Sequence, residues 1–570
     1  MTRYPRRSFL YRPPDQPLTA GTIQRYVGVL ADNGIDTLII HAADRIAYYP
    51  SKKVPTILDR YRRGDRSFFY GAVLGWEMTS EQIETYMTAA THRMDGYLDL
   101  VEAGVDWLAE TARACRKHRI SPWVNVRMND MHGNPRYQDG YYMHPPLFKN
   151  PAMRLRGVSH NPTAPLDEGW RGFNYARSEV RDHMMKILRD VVENYDFEGL
   201  ELDWGRWPLC CEPGALASTV DIVTQWHAEI RRMTERRAGK LGKPYPLGIK
   251  YFGTLDQMRS IGLDLREMAR RKIIDFVSPT NCWQTSWDIP CDDIGRELGP
   301  DVAVYGVLEF SPNILLGWLP HQKKGNPNLG NPLAVNYRLS PPCPPILRGN
   351  AAGKLVLGVD GIEVYNFACS EQSGHWPWPD EPYRAEYPAL RGLQDLEFLR
   401  GKPKQYMFSS QTGYYTHPLF ESVSPFPSVL GAGERRACRL PMCAESNAAL
   451  EFIIQVVVRK QDPLPPVGVY LNGCWPNFSS SLDERLLFPV ATMTHHSPDQ
   501  VGLNFRFPLS GIREGWNEIV VMHGTPRDYG VDQSRQNVTV VSLECAVRTK
   551  RRKSPAVSGR SGRSCQNSRR

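Results

Sequence analysis

What most restricts the folds open to this chain is a repeated alternation over its first 400 or so residues. Short apolar strands alternate with helical patterns, and the connections between them are unequal in length. Strands read near residues 8–12, 35–42, 121–129, 197–204, 246–253, 273–280, 302–308 and 361–367. Helical stretches lie between them. In SEVRDHMMKILRDVVENY, Val180, Met184, Ile187 and Val191 recur at helical spacing behind Ser178, which reads as an N-cap. Eight such β/α units spell a (β/α)8 barrel. The first strand is the least firmly fixed, so a count of seven or nine stays open. Helix-to-strand connections are short, as at 33–34, 118–121 and 194–196. Strand-to-helix connections include 43–80, 130–172, 309–332 and 368–388, rich in Gly, Pro, His, Tyr and Trp. All of these long connections fall at the carboxyl ends of strands, the face on which barrel enzymes carry their sites. Stability does not require one face alone to be lengthened, and long irregular loops are usually functional.

At 570 residues the chain exceeds what one core supports, and near residue 400 the pattern changes. Residues 401–440 read as a linker. Residues 441–548 carry short alternating strands, such as ALEFIIQVVVRK and VGLNFRFPL, separated by turn residues. They read as an antiparallel β-sandwich, either carbohydrate-binding or structural. Residues 549–570 read as a disordered basic tail. The net charge is +9, and the segment from Arg548 onward holds nine Lys and Arg and no acid, so the remainder is neutral (9 − 9 = 0). A nucleic-acid contact is therefore supported by the tail alone, and a solvated appendage is the simpler reading. Twelve cysteines without a CxxC pair give no zinc or redox motif and suit a reducing compartment. Arg6-Arg7-Ser8-Phe9-Leu10 resembles a twin-arginine signal, but YRPPDQPL follows where an apolar stretch belongs. No run approaches the roughly 18 apolar residues that span a membrane, so a cytoplasmic location is expected.

The chemistry concentrates in YDFEGLELDWGRWP, residues 195–208. Successive strand residues face opposite ways, so Leu200 and Leu202 pack outward while Glu201 and Asp203 point into the barrel, Asp203 nearer the catalytic face. Glu201, lying deeper, is either functional or held by a basic partner such as Arg127. In PWVNVRMNDMH the same parity leaves Asn125, Arg127 and Asn129 inward, and Asp130 and His132 open the loop beyond. Further candidates collect at the rim: Glu309 after strand seven, Tyr251 ending strand five, Asn281 and Trp283 after strand six, and Trp204, Arg206 and Trp207 after strand four. Sugars present apolar C–H faces bordered by hydroxyls, which flat aromatic rings with carboxylate and amide edges suit. Cleavage of a glycosidic bond needs one carboxyl to protonate the leaving oxygen and another to attack or to activate water. Asp203 and Glu309 are the leading pair, with Glu201 or Asp130 able to replace either. Carbohydrate is the expected partner, with no cofactor. Two alternatives stand beside this: a non-catalytic carbohydrate-binding barrel, and a lyase or metal-assisted hydrolase using some of His41, Asp44, Asp130, His132, Glu201 and Asp203.

The segment FNYARSEVRDHMMKILRDVVENYDFEGLELDWGRWP resembles glycosyl hydrolase-like barrel proteins, the family-10-like glycosylhydrolase group. Glu179, Val180, Arg181, Tyr195, Asp196, Gly199, Asp203, Arg206 and Pro208 match its helix–strand pattern, with Glu198 in place of an Asp. Over residues 8–370 the resemblance implies the barrel and leaves the substrate unspecified. EGLELDWG is also similar to the strand-four signature of family 18 chitinases at Gly199 and Asp203, but the catalytic Glu of that signature falls on Gly205. The departure argues against a mechanism that depends on that acid.

Overall fold

The computed structural model describes residues 2–3, 18–69, 80–129, 144–155, 172–205, 209–212, 215–280, 286–309, 344–365, 387–408, 425–476, 481–490, 493–524 and 536–550. Its amino-terminal part alternates strands with helices. The order begins β1 (Thr2–Arg3), α1 (Ala20–Asp32), β2 (Thr37–Ala43), α2 (Ser80–Glu102), α3 (Trp107–Lys117), β3 (Ser121–Arg127), α4 (Ser178–Asn194) and β4 (Leu200–Asp203). It continues α5 (Leu216–Leu241), β5 (Leu247–Phe252), α6 (Leu255–Ser260), α7 (Leu265–Arg270), β6 (Phe276–Thr280), α8 (Cys291–Leu298), β7 (Ala303–Glu309), α9 (Pro344–Leu355) and β8 (Gly361–Tyr365). Strands β2 to β8 form one curled parallel sheet, each paired with the next in chain order. The short β1 pairs with both β2 (Thr2 with Leu38) and β8 (Thr2 with Val364). The first strand was expected at 8–12, a stretch that lies outside the described residues.

The outward faces of these strands build one core with the helices. Val124, Val126, Leu200, Leu202 and Ile249 share it with Val180, Met184, Ile187 and Val191 of α4. Parallel strands flanked by helices must bury apolar side chains there. Ser178 is the first residue of α4 rather than its cap; the N-cap is Arg177, in extended backbone and without a side-chain capping bond. Asp106 caps α3 through the amides of Leu108 and Ala109.

The carboxyl-terminal part is antiparallel. Its strands are β9 (Lys404–Phe408), β10 (Ser428–Leu430), β11 (Arg435–Met442), β12 (Leu450–Arg459), β13 (Val467–Leu471), β14 (Ser481–Asp483), β15 (Arg485–Val490), β16 (Met493–His495), β17 (Gln500–Phe507), β18 (Gly515–His523) and β19 (Val538–Thr549). One sheet runs β10-β19-β12-β17-β14, with β9 also on β19; a second runs β11-β18-β13; β15 and β16 pair as a hairpin. Phe452, Ile454, Val456, Leu503 and Leu543 of the first sheet share one apolar core with Leu440, Val469, Leu471 and Ile519 of the second.

Two boundaries differ from the sequence reading. Residues 401–440, read as a linker, contain β9, β10 and the start of β11. Strand β11 exposes Arg435, Arg436, Ala437 and Arg439 and buries an apolar run only towards its end, so its alternation is muted. The tail also begins later than expected, because β19 reaches Thr549 and Arg548 is ion-paired with Glu451 at 2.9 Å. Residues 551–570 lie outside the described residues. Among the described residues no helix is long and apolar enough to cross a membrane, and no two of the eight described cysteines form a disulfide with each other.

Candidate functional site

Charge collects on the concave face of the parallel sheet. Asp203 ends β4 and is 1% exposed. It stands in register between Arg127 of β3 and Lys250 of β5. The Arg127 Nε lies 3.8 Å from Asp203 Oδ2, and the amide of Gly205 donates to Oδ1 at 2.9 Å. Arg127 therefore pairs with Asp203 rather than with Glu201. The reason is register, since Glu201 stands beside Asn125 and Gly248, one pleat deeper.

Across the interior, Lys250 Nζ donates to Glu363 Oε1 of β8 at 3.1 Å and lies 3.2 Å from the centre of the Tyr365 ring. Arg127 Nη2 donates to the Tyr365 hydroxyl at 3.3 Å. Two carboxylates, two cations and a phenol from β3, β4, β5 and β8 thus form one buried network. Below it, His41 Nδ1 donates to Asn125 Oδ1 at 3.0 Å, and Asn125 Nδ2 donates to the Glu201 carbonyl at 3.4 Å. Ser278, in register with Lys250, is fully buried, and its hydroxyl has no hydrogen-bond partner among the described residues.

Lys250, Glu363 and Tyr365 were missed by the sequence reading. Their signal was available: a lone charge within GIKYF, and Glu363 and Tyr365 at alternate positions of GIEVY, by the parity that singles out Asp203.

Gly205 has a particular place above this network. A Cβ there would stand 3.2 Å from Asp203 Oδ1, 3.4 Å from Lys250 Cγ and 3.5 Å from Thr280 Cγ2. Position 205 faces the charged interior, where any side chain would crowd the Asp203 carboxylate.

Other expected contacts are placed elsewhere. Asn129 is buried and spends its amide on loop backbone: Oδ1 accepts from Phe173 N at 2.8 Å, while Nδ2 donates to the carbonyls of Phe173 (3.2 Å) and Leu209 (2.5 Å). It ties the segment after β4 to the one preceding α4. Trp204 follows Asp203 by one residue and so falls on the opposite side, packing against Tyr175 and α5. Its Nε1 donates to His227 Nε2 at 3.3 Å, and burial pushes that imidazole down to about 4, which keeps it neutral and able to accept. Tyr251 alternates with Lys250 and belongs to the core between sheet and helices; burial pushes its phenol up.

Glu309 is the last residue of β7, in register with Tyr365. Asp130, His132, Arg206, Trp207, Asn281 and Trp283 lie outside the described residues. Among the described residues no group of three or more His, Cys, Asp or Glu is arranged to hold a metal. His41 is engaged with Asn125, and Asp44 accepts from the Tyr48 hydroxyl and from Ile46 N at 3.2 Å.

No family model and no curated protein matches the sequence. Among solved structures the chain is similar to alpha-L-fucosidase isoenzyme 2 from Paenibacillus thiaminolyticus, at 10% identity and a TM-score of 0.36, covering 67% of this chain and 47% of that one. It is also similar to the PgaB (BpsB) glycoside hydrolase domain from Bordetella bronchiseptica (10%, 0.33, covering 64% and 92%). A third is a GH113 beta-1,4-mannanase (9%, 0.32, covering 70% and 98%). These neighbours are glycoside hydrolases, and the chain spans about half the length of the first.

Proposed function

We propose that the chain is a glycoside hydrolase: a (β/α)8 barrel, closed by β1 between β8 and β2, with a β-sandwich behind it. Asp203 is one of its two working carboxylates. The observation that carries this reading is the setting of Asp203: a buried carboxylate at the carboxyl end of a strand, between a guanidinium and an ammonium, next to a glycine where any side chain would crowd it. A barrel interior built for packing alone is filled by branched apolar residues. The unpaired Ser278 hydroxyl beside Lys250 fits a polar ligand group.

A carboxylate flanked by cations suits the role that needs negative charge, either attacking the anomeric carbon or activating water. Glu309, at the end of β7, is proposed as the acid that protonates the leaving oxygen, with Glu201 as the deeper alternative. The rim residues Asp130, His132, Arg206, Trp207, Asn281 and Trp283 are proposed as sugar contacts. A carboxyl separation of about 5–5.5 Å corresponds to retention of configuration and about 6.5–9.5 Å to inversion.

The test is a panel of chromogenic aryl glycosides assayed with wild type and Asp203→Asn. A loss of about 10²–10⁴-fold in kcat is expected on any substrate the wild type cleaves. Equal rates would remove Asp203 from the mechanism. Oligosaccharide binding without turnover by the wild type would leave the binding-barrel alternative in its place.

A further inference from the structure

Residues 286–290, which lead into α8, are fastened to the sandwich. Thr280 ends β6, and seven residues later Trp287 is fully buried in the sandwich's apolar core, whose members include Tyr406, Leu440 and Phe452. Next to it, the Ser286 carbonyl accepts from Lys354 Nζ at 2.5 Å and from Asn350 Nδ2 at 3.5 Å. Lys354 is wholly buried on α9 and also donates to Asn350 Oδ1. Its stem crosses β7 at Gly306, where a Cβ would come within 2.7 Å of Lys354 Cδ.

The same helix holds the sandwich by another face. A Cβ on Gly349 would fall on the Gln405 carbonyl oxygen of β9, and one on Gly353 would come within 2.7 Å of the Pro441 carbonyl oxygen of β11. Helix backbone therefore meets strand backbone, with no side chain to give way. The fastening is reciprocal: Cys443, just after β11, belongs to the barrel's core, and Trp516 Nε1 donates to Asp292 Oδ2 of α8 at 3.0 Å.

We infer that Trp287 and Lys354 are positioning residues, through which the sandwich fixes residues 286–290, ahead of α8, beside the barrel's candidate active face. An indole placed in a neighbouring core couples the order of its own segment to the integrity of that core, because close-packed interiors transmit displacement rather than absorb it. The sandwich then acts as part of the site's frame. The ligand side of this inference rests on the hydrolase reading; the coupling itself does not.

Hydrogen–deuterium exchange of the full chain tests the coupling without any substrate. Peptides covering 286–298 are followed in wild type, Phe452→Ala, Trp287→Ala and Trp287→Phe, with Ile454→Val as a milder change should Phe452→Ala fail to fold. Phe452 and Ile454 lie in the sandwich core on β12. Exchange across 286–298 is expected to rise at least tenfold in Phe452→Ala and Trp287→Ala, to rise in proportion in Ile454→Val, and to return towards wild type in Trp287→Phe. Faster exchange confined to sandwich peptides would overturn the inference. On any glycoside that is cleaved, Trp287→Ala is expected to raise KM at least fivefold with kcat within twofold, rescued by Phe. A fall in kcat alone would overturn the positioning role. If no glycoside is cleaved, the hydrolase reading fails and the exchange result still decides the coupling.

Discussion

The two interiors of this molecule are built on opposite principles. Between the sheets of the carboxyl-terminal part, Phe452, Ile454, Val456, Val469, Leu503, Ile519 and Leu543 meet with no charge among them. Inside the parallel sheet, Arg127, Glu201, Asp203, Lys250 and Glu363 are buried equally deeply. Burying an apolar side chain contributes about 1.5–3 kcal/mol, whereas each buried ion must recover several kcal/mol of lost hydration from its partners. A chain able to build the first kind of core did not need the second for stability. The charged interior is therefore the one to which function is attributed, and the apolar one serves as support.

Four changes would break or sharpen that contrast. Lys250→Met leaves Glu363 without its ammonium and should cost about 3–5 kcal/mol, read by urea unfolding; Lys250→Met with Glu363→Leu should recover most of it. A charge-free pair much less costly than the single substitution would show that the ions are structurally replaceable. If the pair proved no better than the single, the network would be holding the fold.

A smaller effect distinguishes the outer face of the larger antiparallel sheet. Burial raises the Glu544 carboxyl from its ordinary 4.5 to about 7, with Gln405 donating to it at 2.9 Å. Between those values the folded chain keeps a proton that the unfolded chain releases. Stability should thus fall as pH rises from 4.5 towards 7, by a total on the order of 3 kcal/mol. Glu544→Gln should flatten that part of the melting-temperature profile; an unchanged slope would assign it to other groups. Smaller again, Ile454→Val removes one methyl group from the apolar core and should cost about 0.5–1.5 kcal/mol at every pH. A pH-dependent cost would mean that the core is less separate from the charged groups than it looks.

Much of this architecture was legible in the sequence, for reasons that also mark where legibility stopped. Strands β2 to β8 announced themselves as apolar runs between helical periods, and parity alone turned Glu201 and Asp203 inward. The same parity, applied one residue further, would have sent Trp204 and Tyr251 to the helices; the pull of aromatic rings towards a sugar site overrode it. Asn129 shows a different limit. An inward amide can serve a ligand or a loop, and only the fold reveals that Phe173 and Leu209 take it. Lys250 and Glu363 lie more than a hundred residues apart, so their pairing is a product of the curl of the sheet that no local pattern contains. Strand β11 was hidden by its own exposed arginines.

The glycine face of α9 has a practical consequence for anyone recombining this protein. A crossover near residue 400, where composition suggests a seam, would strand that helix against foreign backbone it cannot fit. A chimera that retains Pro344–Leu355 together with β9 and β11 keeps the mating surfaces matched, so the workable breakpoint for module exchange lies upstream of the helix, inside the half that carries the parallel sheet.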